Sequence, residues 1–419
     1  MRERVETLVI GGGQAGLAVS YYLTKSGREH LILERGRLAE TWRTQRWDGF
    51  CLNTPNWTLL LPGHSYVGDD PDAFMSRDEV VEHLEQYAQA FQPPLRCGVS
   101  VCSLERRSGG GYLLETSEGP LEANNVVVAT GAFQQPAAPP FTGELPAWVF
   151  QLHASEYLRP SQLPAGAAFV VGSGSSGCQI AEELNQSGRT VYLSVGSCPW
   201  APRRYRGRDF LRWAIDLGLM DETVDALPSP RARLACNQTL SGTDGGHDCH
   251  PRMLARSGVV LVGRVEAARG QKVLIRADLN ESLAKADEFA AEFKRKVDEH
   301  VIAGRLDVPD EPDADSERDD AAAASTGREL DLRASGITTI LWATGYRPDF
   351  GWIRLPVFDE DGWPLQVRGV TGLPGLYFVG VHWLYKRKSA LFLGIGEDAE
   401  HIAGHIVRAR GRSRERARL

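Results

Sequence analysis

One glycine pattern occurs twice in this chain at a fixed separation. Gly11, Gly13 and Gly16 form G-x-G-x-x-G, and Gly172, Gly174 and Gly177 form it again 161 positions later. An apolar run leads into each: Glu6-Thr-Leu-Val-Ile into the first and Ala168-Phe-Val-Val into the second. A helical pattern follows each, from Gln14 to Leu23 and from Ser175-Ser176-Gly177 to Leu184. Ser26-Gly27-Arg28 also recur as Ser187-Gly188-Arg189. A strand, a glycine turn and a helix, used twice, predict an α/β chain with two Rossmann-like units.

Each glycine in the pattern has a physical job. The first allows a tight turn, the second lets the backbone approach a pyrophosphate, and the third lets helix and strand pack closely. The helix N-terminus then faces the phosphate charge. After the first unit, the short strand Leu31-Ile-Leu33 ends at Glu34, 21 residues beyond Gly13. A carboxylate there accepts hydrogen bonds from a ribose. Arg35 is grouped with it at this site. In the second unit the matching position is Val195, which has no carboxylate. Arg203, Arg204, Arg206 and Arg208 lie just beyond. A missing acid beside arginines suits a 2′-phosphate, hence NADPH over NADH, with Arg203 or Arg204 as the ligand. A solvated basic loop is the alternative.

Two further strands repeat. Val126 to Thr130-Gly131 and Ile340 to Thr344-Gly345 both end in Ala-Thr-Gly. They mark exits from and returns to the nucleotide-binding units, and Thr130, Gly131, Thr344 and Gly345 are candidate cofactor contacts because such strands end where backbone passes close to the nucleotide. Late in the chain, Gly394-Ile-Gly396 is expected to open a helix from Glu397 to about Val407. Its N-terminus would stabilise negative charge on a reduced flavin. Asn280 to Arg305 has helical periodicity with dense mixed charge, and Asp307 to Ala324 reads as an acidic surface loop. The helix could be a lid, a dimer contact or neither.

Composition excludes other classes. The net charge is −7, which argues against a dedicated nucleic-acid binder. No apolar run reaches the ~18 residues of a membrane span. Strand character begins at Val5, so no signal peptide is expected. The seven cysteines are scattered without C-x-x-C, which fits a reducing, cytoplasmic setting and no disulfide scaffold. Cys249-His250 has no second pair at zinc spacing, so no metal is expected.

These features together resemble the flavin-containing monooxygenase superfamily, with its N-hydroxylating, Baeyer–Villiger and plant auxin-forming branches. The resemblance covers most of residues 5–405. More closely, the chain resembles bacterial flavoproteins encoded beside a nitrilase. Thr41-Trp42-Arg43, Gln45-Arg46-Trp47, Leu52 to Trp57, Arg203 to Asp209 and Arg387-Lys388-Ser389 carry that likeness. The resemblance implies a split FAD domain, residues 1–158 and 331–419, with an NADPH domain at 159–330 inserted between them. The charged helix and acidic loop, at about 278–326, form an insertion in the latter. It implies FAD held by Gly11, Gly13, Gly16 and Glu34, with Trp42, Arg46 and Trp47 near the flavin. It implies NADPH held by Gly172, Gly174, Ser175, Ser176, Gly177 and the arginines. It also implies that NADPH reduces FAD, which takes O₂ to a C4a-(hydro)peroxide that oxidises a small molecule of secondary metabolism.

Asn53 sits where relatives place an Asn that hydrogen-bonds near that oxygen. The alternative is an Asx turn before Pro55. His153 and Tyr157 remain from a family signature whose Phe and Gly are here Ala147 and Val149, so a linker role is expected for them. Lys386-Arg387-Lys388 could recognise an anionic substrate or the FAD pyrophosphate, or be a solvated charge run. Two other functions stay open: an NADPH-dependent flavin dehydrogenase or oxidase, and a non-catalytic flavin-binding regulator. Homodimerisation also stays open.

Overall fold

The computed structural model describes residues 3–311 and 328–416. The first strand, Glu3–Ile10, is buried from Val5 onward and lies in the middle of a parallel sheet. Its neighbours are Gly119–Val128 on one side and His30–Glu34 on the other. Leu376–Phe378 and Leu95–Cys97 extend the parallel array outward. Such strands read as nearly continuous apolar runs because both faces are covered. The helix Gln14–Lys25 covers one face and packs against the C-terminal helix, Phe392–Arg416.

A second parallel sheet runs in the order Phe150–His153, Ile337–Trp342, Ala167–Val171, Val191–Ser194, Val260–Val262. This corrects the expected domain limits at 158 and 331. Phe150–His153 and Ile337–Trp342 pair within the second sheet, so both belong to the second unit. The chain crosses between the units at an antiparallel ribbon. Gln135–Pro136 pairs there with Tyr346–Arg347. Tyr346–Arg347 follows directly on the second Ala-Thr-Gly turn, and Gln135–Pro136 begins a few residues after the first.

The charged helix spans Leu279–Gly304. Its apolar stripe includes Leu283, Ala286, Ala290, Phe293 and Val297, all buried. Phe293 packs on Phe210 with ring centroids 4.7 Å apart, and Trp213 joins the same core. The stripe is therefore consumed inside the second unit. The acidic segment predicted over 307–324 lies outside the described residues from 312 onward. Among the described residues, no helix is long and apolar enough to cross a membrane.

The glycine turns have steric reasons. Gly11 has φ +116°, and a Cβ there would stand 2.5 Å from Ala129 O. Gly172 repeats this with φ +110° against Ala343 O. A Cβ on Gly16 or Gly177 would run into the carbonyl oxygen of Gly11 or Gly172, well inside van der Waals contact. Gly13 differs, because its Cβ would meet nothing within 4 Å. Gly16→Ala should therefore destabilise the protein by about 1–3 kcal/mol through overpacking. Gly13→Ala should leave thermal stability without nucleotide unchanged and lower flavin content after purification. Thermal unfolding of the flavin-free proteins, with the flavin content of each, checks both.

Candidate nucleotide and oxidation site

The first cradle is organised by Glu34. Its Oε2 accepts from Gly12 N at 2.7 Å and its Oε1 from Gly36 N at 2.9 Å. The carboxylate thus shapes the glycine turn as well as standing at the expected ribose position. Arg35 is exposed beside it. At the helix start, Gln14 Nε2 donates to Ala390 O at 3.0 Å. This brings the late segment 383–396 against the first cradle.

The late segment corrects one expectation. The helix begins at Phe392, so Gly394 and Gly396 lie inside its first turns and do not precede it. Gly394 is needed there because a Cβ would collide with Lys388 O, and Gly396 faces Pro62 at 3.4 Å. The basic run is fully committed to acids. Lys386 Nζ lies 2.7 Å from Asp221 and 2.9 Å from Glu397, and Lys388 Nζ 3.0 and 2.5 Å from the same pair. Arg387 pairs with Glu222 at 2.7 Å. These contacts fasten the C-terminal helix to the segment 219–222. They leave neither a solvated run nor a free anion site.

Between the units lies a chamber of rings around Arg46. The guanidinium sits 5.3 Å from the Trp42 centroid, 5.3 Å from Phe133 and 5.5 Å from Phe50. It donates to Gln45 O at 2.7 Å. Burial lowers its pKa, and the Tyr346 hydroxyl opposes that shift. No carboxylate pairs with it among the described residues. Cation–π attraction to these rings therefore stands in for an ion pair. Trp42 also stacks on Phe392, while Trp47 is buried edge-on against Phe50 at 5.1 Å. His382 packs on Phe133 at 5.4 Å, and burial holds its pKa below the usual value. Sequence reasoning missed Phe133, Tyr346 and His382. A signal for two of them existed, since Phe133 and Tyr346 fall two and one residues after the Ala-Thr-Gly turns.

Those turns are stitched to each other. Thr130 Oγ1 accepts from Gln134 Nε2 at 2.7 Å, and the same amide donates to Gly131 O at 3.0 Å. Thr344 Oγ1 donates to Ala137 O. Gly345 O accepts from Ala137 N at 3.0 Å and lies 3.0 Å from His153 Nε2. Gly131 and Gly345 both have positive φ, +77° and +82°. Tyr157 OH donates to Glu183 Oε2 at 2.6 Å. His153 and Tyr157 thus secure the crossing to the second unit.

The second cradle meets the first-unit loop at Asn53. Asn53 Oδ1 accepts from Gln179 Nε2 at 2.8 Å, and Asn53 O accepts from Arg203 Nη1 at 2.8 Å. Asn56 ties the same loop to a more distant segment, accepting from Met75 N at 2.9 Å and donating to Asp70 O at 3.1 Å. Asn53 is instead gripped by the other unit, from a helix that starts at the second glycine turn. On that helix Ser175 Oγ donates to Gln238 O at 3.2 Å, while Ser176 is exposed.

The arginines are placed differently from expectation. Arg203 is 1% exposed, 2.6 Å from Asp209, and stacked 4.8 Å from the Phe74 ring. Burial lowers its pKa and Asp209 opposes that shift. A guanidinium so enclosed has no face left for a 2′-phosphate in this arrangement. Arg206 pairs with Asp298 at 2.6 Å, and Arg208 with Asp216 at 2.6 Å. Arg204 is exposed and donates to Gly245 O and Gly246 O, each at 2.7 Å. Cys249 keeps company with His247 and Glu182, whose ligand-type atoms lie within 4.8 Å of one another and of its thiol. His250 instead stacks on Trp200 at 4.1 Å.

Known proteins share this architecture. The family described as pyridine nucleotide-disulphide oxidoreductase matches residues 8–213. An oxidoreductase named CzcO-like from Geobacillus kaustophilus is 34% identical over 97% of this chain and 99% of its own length. Indole-3-pyruvate monooxygenase YUCCA1 of rice, Oryza sativa subsp. japonica, is 31% identical over 74% of this chain and 80% of its own. A solved structure of OTEMO in complex with FAD and NADP superimposes with a TM-score of 0.56 at 16% identity, over 99% of this chain and 87% of that one. The chain belongs to the CzcO-like oxidoreductases, enzymes of the flavin monooxygenase-like superfamily.

Proposed function

We propose that the protein is an FAD- and NADPH-dependent monooxygenase of a small organic molecule. The observation that carries this reading is the grip on Asn53. A residue of the first-unit loop is held by Gln179 and Arg203 of the second unit, so the two cradles are joined at one polar contact. An enzyme that passes electrons from one nucleotide to another needs such a junction. A passive flavin binder does not. OTEMO, solved with both FAD and NADP, and the rice monooxygenase support the same reading by likeness.

The residues present fit the two cofactors. Gly11, Gly13, Gly16 and Glu34 would hold FAD, with the open space at Gly13 facing its pyrophosphate. Gly172, Gly174 and Gly177 would hold NADPH. Arg204, the exposed arginine of the run, takes the 2′-phosphate in this reading. Bound flavin supplies hydride acceptance and oxygen activation, and the protein supplies position and dryness. The rings around Arg46 shield it in part from water. Its uncompensated positive charge stabilises negative charge beside it. Gln179 fixes the Asn53 side-chain oxygen, which leaves the Asn53 amide hydrogens to donate.

Three outcomes are expected. Under ¹⁸O₂, turnover with a panel of amines, ketones and nitriles should place one labelled atom in the product. Asn53→Ala loses the side-chain bond to Gln179 but keeps the backbone bond to Arg203, so it should keep NADPH-driven flavin reduction and lose about 10²-fold in labelled product, the worth of one directed donor, with peroxide in its place. Label only in peroxide or water for the unmodified enzyme would favour the dehydrogenase or oxidase reading. Arg204→Ala should raise the Kd for NADP⁺ about tenfold or more, since a hydrogen bond to charge is worth ~1.5–3 kcal/mol. The Kd for NAD⁺ should stay the same. Equal changes for both nucleotides in a calorimetric titration would remove Arg204 from that role.

A further inference from the structure

Two thiols lie over the second glycine turn. Cys198 is buried, shortly after the strand Val191–Ser194, and Cys236 sits on an exposed stretch leading to Leu240. A Cβ on Gly174 would lie 3.6 Å from Cys198 Sγ and 3.7 Å from Cys236 Sγ. Both sulfurs thus border the same point of that turn. Their segments run side by side. Thr239 N donates to Pro199 O at 2.9 Å, Trp200 and Thr239 form a parallel bridge, and Cys198 Sγ donates to Asn237 O at 3.7 Å. The later segment is also tied to the fingerprint helix, through Ser175 Oγ to Gln238 O at 3.2 Å and Gln179 Nε2 to Leu240 O at 2.6 Å. Residues 236–240 thus lie across the turn whose backbone N–H groups a pyrophosphate would meet.

We propose that Cys198 and Cys236 form a reversible dithiol–disulfide site, oxidised by a hydroperoxide, which clamps residues 236–240 over the second dinucleotide cradle. The clamping effect rests on the reading of that cradle given above, whereas the disulfide does not. The neighbouring thiol draws Cys236 down and pushes Cys198 up, which makes Cys236 the attacking group. Burial raises Cys51, Cys97, Cys178 and Cys249, which sets Cys236 apart from them.

The chemistry balances in two steps. The Cys236 thiolate attacks one oxygen of hydrogen peroxide, an S–O bond forms, the O–O bond breaks, and the departing hydroxide takes a proton to become water. Cys198 then attacks that sulfur. The S–S bond forms, the S–O bond breaks, and the Cys198 proton leaves with the hydroxide as a second water. Two thiols lose two electrons in total and one peroxide gains them. A dithiol reductant reverses this by two exchanges. A flavoenzyme that reduces O₂ without transferring oxygen releases this oxidant itself.

The test uses the FAD-loaded protein, first reduced by a phosphine and then freed of it. Hydrogen peroxide should remove two thiols of the seven, and peptide mapping should find Cys198 joined to Cys236. Cys198→Ser and Cys236→Ser should each abolish that link. Added dithiothreitol should restore both thiols. NADP⁺ should slow the oxidation, and the oxidised protein should bind NADP⁺ at least tenfold more weakly by calorimetry. Oxidation of Cys236 alone to a sulfinic or sulfonic acid, or a link between other cysteines, would overturn the site. A Cys198–Cys236 link with unchanged NADP⁺ affinity would overturn the clamp. Failure of the reduced protein to bind NADP⁺ would count against the cradle reading, and the peptide map would still decide the disulfide.

Discussion

Everything in this molecule depends on a close approach that only hydrogen atoms can occupy. The backbone of Gly11 passes Ala129 O so tightly that a Cβ would stand 2.5 Å from it, and Gly172 makes the same approach to Ala343 O. Those carbonyls belong to the residues just before the two Thr-Gly turns. The cradle in each unit and the exit from that unit are therefore one packed feature. Enlarging either glycine would move the nucleotide turn and the chain crossing together.

The crossing in turn governs how the two cradles meet. The ribbon of Gln135–Pro136 and Tyr346–Arg347 carries the chain out and back, and His153 anchors it through Gly345 O. Phe133 and Tyr346 come with the ribbon and close the chamber around Arg46. On the other side Asn53 is taken up by Gln179 and Arg203. The polar grip and the ring chamber are separate devices. One fixes a donor, and the other packs rings against a half-buried cation. Together they make the region between the units the place where the proposed oxidation would occur.

The parts of this account that were legible in sequence are those written as local spacing. The glycine turns were readable because a missing side chain at fixed intervals has a steric meaning wherever it stands. The Ala-Thr-Gly strands were better guides to the crossings than the domain limits drawn at 158 and 331. Phe150–His153 is short and partly polar, and its place is set by pairing with Ile337–Trp342 far along the chain. No local pattern carries that information. Arg203 misled for a related reason. Its partner Asp209 is brought back by a turn at Arg206-Gly207, both with positive φ, and the Phe74 ring arrives from the other unit. Charge type alone cannot tell a buried ion pair from a free phosphate ligand. Gly394 misled because a glycine near a helix start is usually outside it, and here Lys388 O requires it inside.

The central claim is that two nucleotides work as one oxygenating site. Anaerobic addition of NADPH to the purified yellow protein, then rapid mixing with O₂ under spectral recording, tests it most directly. The account predicts that NADPH bleaches the flavin and that O₂ brings up a long-lived absorbance distinct from both the reduced and the oxidised bands. A flavin that NADPH cannot reduce, or one that returns straight to the oxidised spectrum with stoichiometric peroxide even when substrate is present, would contradict it.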